Sequence, residues 1–175
     1  MSTLSTDPIL SCEESLAFEK KYFGGDEELE WQAMTKAGEA VGDALLRDMR
    51  ELRTISPRPR ILTLVGKGHN GGDALIATKR FLRTIPTARA VILPLAGWDE
   101  CKSLTHRAWA ELKKLAEKRI QVIDPKENAV QELEKAVEEK EFGALVDGFL
   151  GMQAKLPLRD PLPKVLQWIN QSEKI

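Results

Sequence analysis

Four short apolar runs, ILTLVG (61–66), AVILPLA (90–96), IQVID (120–124) and GALVDGFLG (143–151), alternate with segments of helical period. Runs this short and this apolar read as strands buried on both faces, and helices between them make βαβ units. After Gly72, Leu75, Ile76, Lys79 and Leu82 recur at helical spacing. Residues 103–119 place Leu104, Ala108, Leu112 and Leu115 on one side, and 128–140 and 162–170 complete the series. A parallel sheet with helices on both faces is the expected architecture. A helical segment over 10–55 precedes this core of 60–175. Ser11 and Glu14 form a capping-box pattern, and Gly24-Gly25 ends a short first helix. Trp31, Met34, Val41, Leu45, Met49 and Leu52 then mark one face of a long helix from Glu27 to Leu52. Gly38 and Gly42 on that helix either admit a close backbone neighbour or are merely tolerated. SPRPR (56–60) breaks it. The last helix leads only to SEKI, so either the sheet ends there or, as expected, the chain is interrupted before a further strand.

At 175 residues and 42% hydrophobic content the chain is expected to form one domain with one buried core. Its 26 Lys and Arg against 27 Asp and Glu provide no overall basic field, which argues against nucleic acid or an anionic membrane as partner. Cys12 and Cys101 fit no metal or redox spacing, as suits a reducing compartment. The N-terminus has no secretory pattern, and no apolar stretch approaches the ~20 residues that cross a bilayer. A soluble, cytoplasmic protein is expected.

The chemistry concentrates in GKGHNGGDALI (66–76), between the first strand and its helix, where open α/β sheets hold ligands. Gly66, Gly68 and Gly71 satisfy G-x-G-x-x-G, yet the ribose-binding acid of a dinucleotide fold is missing after the second strand until Asp99. Asp73, read in the first turn of the helix, would compete with a pyrophosphate for the same amides. No Gly-Lys-Ser/Thr closes the loop as in a P-loop. Asn70 and Asp73 supply oxygens suited to sugar hydroxyls, an amide-bearing ring or a hard cation. Equally, both residue types serve simply to shape turns and start helices. Asp147, at the end of the fourth strand with Gly148 and Gly151 after it, is expected to face Asn70 if the strand order is 3-2-1-4.

These segments resemble the YjeF N-terminal domains, which are NAD(P)H-hydrate (NAD(P)HX) epimerases. GKGHNGGDAL stands where the family has G-x-G-N-N-G-G-D-G-L, VDGFLGMQ where it has V-D-A-L-F-G-T-G, AMTKAGEAV resembles L-M-E-R-A-G, and WIN ends the last helix with Ile169 and Asn170. The resemblance implies a Rossmann-like three-layer α/β/α sandwich with a mostly parallel central sheet and N-terminal helices, commonly a homodimer. It implies an isomerase that interconverts the R and S epimers of hydrated NADH or NADPH, alongside a fused or separate ADP/ATP-dependent dehydratase. His69, Asn70, Gly71, Gly72 and Asp73 would line the substrate. The loop Gly151, Met152, Gln153, Ala154, Lys155, Leu156 and Pro157 would contact its phosphates, and Asn70 and Asp147 would ligate potassium. The family's catalytic acid lies in an Asp-x-Pro-Ser-Gly segment that would fall beyond Ile175. His69, Ala74 and Gln153 depart from the family pattern, which carries Asn, Gly and Gly there. The alternative implied by the same fold is a non-catalytic binding module, like the YjeF-type domains of messenger-RNA decapping scaffolds. An ordinary nicotinamide-dependent oxidoreductase is a third option.

Overall fold

A computed structural model of the chain describes residues 9–52, 56–124, 128–151, 154 and 157–172. The helices α1 (Cys12–Phe23) and α2 (Glu27–Leu52) lead into β1 (Arg60–Val65) and α3 (His69–Thr84). There follow β2 (Arg89–Pro94), α4 (Ser103–Ala116), β3 (Ile120–Val122), α5 (Ala129–Glu139), β4 (Ala144–Gly148) and α6 (Leu162–Gln171). The strands form one parallel sheet in the order β3-β2-β1-β4, with Leu64 of β1 opposite Leu93 on one side and Asp147 on the other. This is a three-layer, Rossmann-like α/β/α fold.

Strand β1 is buried throughout because its alternating side chains enter two separate cores. Ile61 and Val65 pack with Leu75 and Phe81 of α3, Leu104 and Leu112 of α4, and Trp31 and Met34 of α2. Leu62 and Leu64 pack on the other face with Leu133 and Val137 of α5 and Leu162 and Val165 of α6. At the amino end of the sheet, the buried Arg60 guanidinium donates to the carbonyls of Ala136 and Lys140 at the carboxyl terminus of α5 and to Gln121. Its charge there answers the negative end of the helix dipole.

The one polar side chain in the middle of β1 ties the sheet to the helix that carries the site. Thr63 Oγ1 meets Thr78 Oγ1 at 2.7 Å, and Thr78 Oγ1 also donates to the Ala74 carbonyl at 2.8 Å. Thr63→Val keeps the volume and removes one hydroxyl partner, while Thr78 retains its backbone acceptor. A loss of about 1 kcal/mol is expected by urea unfolding, as for one buried hydrogen bond.

The face of α2 differs from the sequence expectation. Val41 and Leu52 are 46% and 81% exposed, whereas Gly38 and Gly42 are buried. A Cβ at Gly38 would lie 2.6 Å from Ile76 Cβ and 2.8 Å from the Asp73 carbonyl; one at Gly42 would lie 2.7 Å from Arg80 Cβ. The two glycines are therefore the contact surface on which α3 rests, and their spacing brings the two helix backbones together. The other difference is the start of α3. His69 to Gly72 lie within its first turns and not in a preceding loop, since Gly71 and Gly72 amides already bond the Gly68 carbonyl.

Candidate functional site

The site grows from the carboxyl end of β1, where the chain has one strand neighbour on each side and the order reverses. Gly66 N–H donates to the Gly148 carbonyl at 2.9 Å, which joins the loops after β1 and β4. Residue 71 must then pass under this junction: a Cβ there would lie 2.0 Å from the Gly66 carbonyl oxygen. Helix α3 starts at Gly68, whose backbone is extended and which offers no side-chain cap. The Gly68 carbonyl accepts from the amides of Gly71 and Gly72 at 3.0 and 3.3 Å and from Thr105 Oγ1 at 2.8 Å. Lys102 N–H donates to the Lys67 carbonyl at 2.9 Å. The start of α4 thus pins the loop from the side, and only the His69 and Asn70 amides of α3 precede its first bonds to the Gly68 carbonyl.

Helical geometry divides the motif between two directions. His69 and Asp73, four residues apart, share a face and line a cavity of about 730 Å³ together with Leu16 and Phe23 of α1, Met34 of α2 and Leu104 of α4. Asn70 turns instead to the loop after β4, where its Nδ2 donates to the Leu150 carbonyl at 2.6 Å. Gly151 is beside it, within 3.8 Å of the amide atoms measured from where a Cβ would stand.

Asp73 is the chemically unusual residue. It stands a full turn into α3, beyond the first-turn amides, so the competition with a pyrophosphate expected from its sequence position does not arise. Its Oδ1 is sealed from solvent and has no hydrogen-bond partner among the described residues. Burial without compensation disfavours the charged form and pushes its pKa up to about 6. A carboxyl group poised there exchanges a proton near neutral pH, as a general acid or base must.

Asp147 sits at the strand end on the sheet's rim. Its Oδ1 accepts from Phe149 N–H at 2.9 Å. Its neighbour Val146 packs on Ala74 and Ala77 of α3, so strand alternation sends Asp147 toward the opposite face. The Asn70 side chain meets Leu150 and Gly151, its carbonyl lies against Gly148, and no hydrogen bond joins Asn70 to Asp147. Of the remaining expected phosphate loop, Gly151, Ala154 and Pro157 are exposed, and Ala154 N–H closes a turn on the Gly151 carbonyl at 3.0 Å. Met152, Gln153, Lys155, Leu156 and Ile175 lie outside the described residues. Among the described residues no three His, Cys, Asp or Glu side chains gather into a metal cluster. The oxygens near the loops are those of an amide, a carboxylate and backbone carbonyls. The sequence reading missed the cavity wall supplied by α1 and Met34, and the Thr105 contact. Only the inner spacing of Leu16 and Phe23 could have signalled the first of these.

Comparison with known proteins adds a family. The family described as YjeF-related protein N-terminus matches residues 30–175. The chain is 29% identical over 141 residues to an NAD(P)H-hydrate epimerase of Aspergillus fumigatus, covering 81% of this chain and 52% of the relative. It is 31% identical over 127 residues to an NAD(P)H-hydrate epimerase of Rhodopirellula baltica, covering 71% and 47%. The chain thus spans about half the length of these curated relatives. The crystal structure of yeast ynu0, YNL200c, superposes with a TM-score of 0.73 at 21% identity, covering 93% of this chain and 64% of that one, which supports the fold.

Proposed function

The chain belongs to the YjeF-related N-terminal family, and from that premise we propose that it is an NAD(P)H-hydrate epimerase acting on the R and S epimers of NADHX or NADPHX. The observation that carries this reading is Asp73, a carboxyl group with a sealed, unpartnered oxygen, on the cavity face of the glycine-rich motif. The hydrated ring carries its hydroxyl on a carbon bonded to the ring nitrogen. Removing the hydroxyl proton lets a carbonyl form as the carbon–nitrogen bond opens and the nitrogen takes up a proton. Rotation and the reverse steps close the ring on the other face. Asp73, with its pKa near 6, suits one of these proton transfers. The α3 amides and the loop from Gly151 to Pro157 would hold the nucleotide's phosphates. A dehydratase specific for one epimer would consume the product, in the cytoplasm, and a homodimer is the proposed assembly.

The donor chemistry near Asn70 also suits potassium, a hard cation. With its Nδ2 committed to Leu150, Asn70 offers a cation its amide oxygen; Asp147 commits one carboxylate oxygen to Phe149. These two residues would hold the ion, which when bound supplies positive charge beside an anionic substrate. Asp147→Ala is expected to abolish any difference between potassium and sodium buffers in substrate affinity, measured by calorimetry, while leaving the fold intact because the side chain is exposed. Retention of the full potassium effect would remove Asp147 from this role. The proposed substrate itself is tested by thermal shift: a mixture of NADHX epimers should raise the melting temperature more than NADH at the same concentration. Equal shifts would count against a site built for the hydrate.

A further inference from the structure

Helix α1 is built to stand apart from the core. None of its residues is buried. It satisfies its own ends: Ser11 Oγ accepts from Glu14 N–H at 3.2 Å, Glu14 Oε2 accepts from Ser11 N–H at 2.8 Å, and Gly24 N–H donates to the Lys20 carbonyl at 3.1 Å. Helix α2 is separately anchored by Asp26, whose Oδ1 accepts from the amides of Glu28 and Leu29. Between α1 and α2 lie only Gly24, Gly25 and Asp26; the two glycines are at positive φ, +59° and +84°, with nothing within 4 Å of either Cβ position, and one turn bond, from Asp26 N–H to the Phe23 carbonyl at 2.8 Å, spans them. That is the construction of a hinge. Yet the inner side of α1 is not idle: Leu16, Glu19, Lys20 and Phe23 form one wall of the cavity that His69 and Asp73 line from the other side. The segment matched by the family begins at residue 30, so this wall lies outside it.

We infer that α1 is a hinged cover of the substrate site and that Leu16 and Phe23 are its ligand-contacting residues, closing over the hydrated nicotinamide ring of the nucleotide. This rests on the epimerase reading above. The cavity's size falls within the range of ligand pockets, and its walls are largely apolar, with His69 and Asp73 on the α3 side and the charged groups of Glu19, Lys20 and Glu30 on the side of α1 and α2. Such a lining fits a ring that has an apolar face and a polar hydroxyl edge. Asp73, whose Oδ1 is buried and finds no hydrogen-bond partner among the described residues, lines the same cavity as α1. The outer face carries Phe18 and Tyr22, stacked at 5.9 Å and exposed, which do not line the cavity.

The test is amide hydrogen exchange on the full chain with and without the mixture of NADHX epimers, together with calorimetric affinity for the same mixture. Slower exchange over 12–25 on ligand addition is expected. So is a loss of affinity of at least about tenfold in the double variant Leu16→Ala and Phe23→Ala, since it deletes two apolar contacts. Its melting temperature should stay near that of the parent, because neither side chain is buried. The outer-face pair Phe18→Ala and Tyr22→Ala should bind as the parent does. Ligand-induced protection at 69–73, with exchange over 12–25 unchanged and the inner-face variant binding normally, would overturn the cover and leave the epimerase reading standing. Absence of protection at 69–73 would overturn both.

Discussion

Asp73→Asn is expected to melt higher than the parent at pH 8 and to lose catalysis. The sign follows from the direction of the shift. The folded protein holds the Asp73 proton up to about pH 6, whereas a free aspartate releases it near 3.8. The folded state therefore binds more protons between those values, and stability falls as pH rises through that window, then stays lower above it. The shift corresponds to at most about 3 kcal/mol, which the neutral amide relieves at pH 8 less the cost of its own unpaired groups. Toward pH 4 both proteins are neutral at this position, and the parent should melt at least as high as the variant, which keeps the cost of its unpaired amide. Scanning calorimetry from pH 4 to 8 reads the crossing; identical curves at pH 8 would mean that the carboxylate is not desolvated. Turnover should fall by about a hundredfold or more, the usual worth of a positioned acid or base. In the parent, the step that needs ionised Asp73 should gain speed as pH rises through about 6. Together the two effects mark a residue whose charge costs stability at the place where function uses it.

Gly71→Ala should be the most destabilising small substitution in the motif. Inside a helix, alanine for glycine ordinarily gains about 1 kcal/mol. Here the added Cβ would stand 2.0 Å from the Gly66 carbonyl oxygen and 3.0 Å from its nitrogen. That backbone cannot yield freely, because its N–H is tied to Gly148 and the loop is held by Thr105 and Lys102 contacts. A loss of about 3 kcal/mol or more in urea unfolding is expected, with weakened substrate binding as the first turn of α3 lifts off the strand ends. Gly68→Ala is the matched control: nothing lies within 4 Å of its Cβ position and its φ is ordinary, so it should cost below about 1 kcal/mol. Equal effects of the two substitutions would show that the junction at Gly66 is not the constraint.

The sheet was readable because its strands are short, apolar and separated by amphipathic helices, and the order β3-β2-β1-β4 is the one assumed when Asp147 was placed beside β1. What stayed hidden depended on contacts between elements. Gly38 and Gly42 look equally tolerable in any long helix until Ile76 and Arg80 are placed against them. The start of α3 was obscured because Gly71 and Gly72 read as loop residues, although in the fold they are helical glycines chosen for lack of a side chain. Asp73 was legible as a chemically suggestive residue but not as a buried one, since its desolvation is imposed by neighbours rather than by the motif. Asp147 was expected to face Asn70, whereas the β4 loop meets the Asn70 side chain through Leu150 and Gly151 and the Asp147 carboxylate bonds Phe149 N–H. The α1 wall required the fold, because the spacing of Leu16 and Phe23 marks one side of the helix without saying which surface that side will face.

The most direct measurement supplies the purified protein with mixed NADHX epimers and an excess of a dehydratase that consumes only the S form, in potassium buffer. Consumption of the R form well above its spontaneous rate, reduced in Asp73→Asn to near that rate, is the expected result. Consumption of the R form at the spontaneous rate by the parent protein would contradict the assignment of epimerase activity.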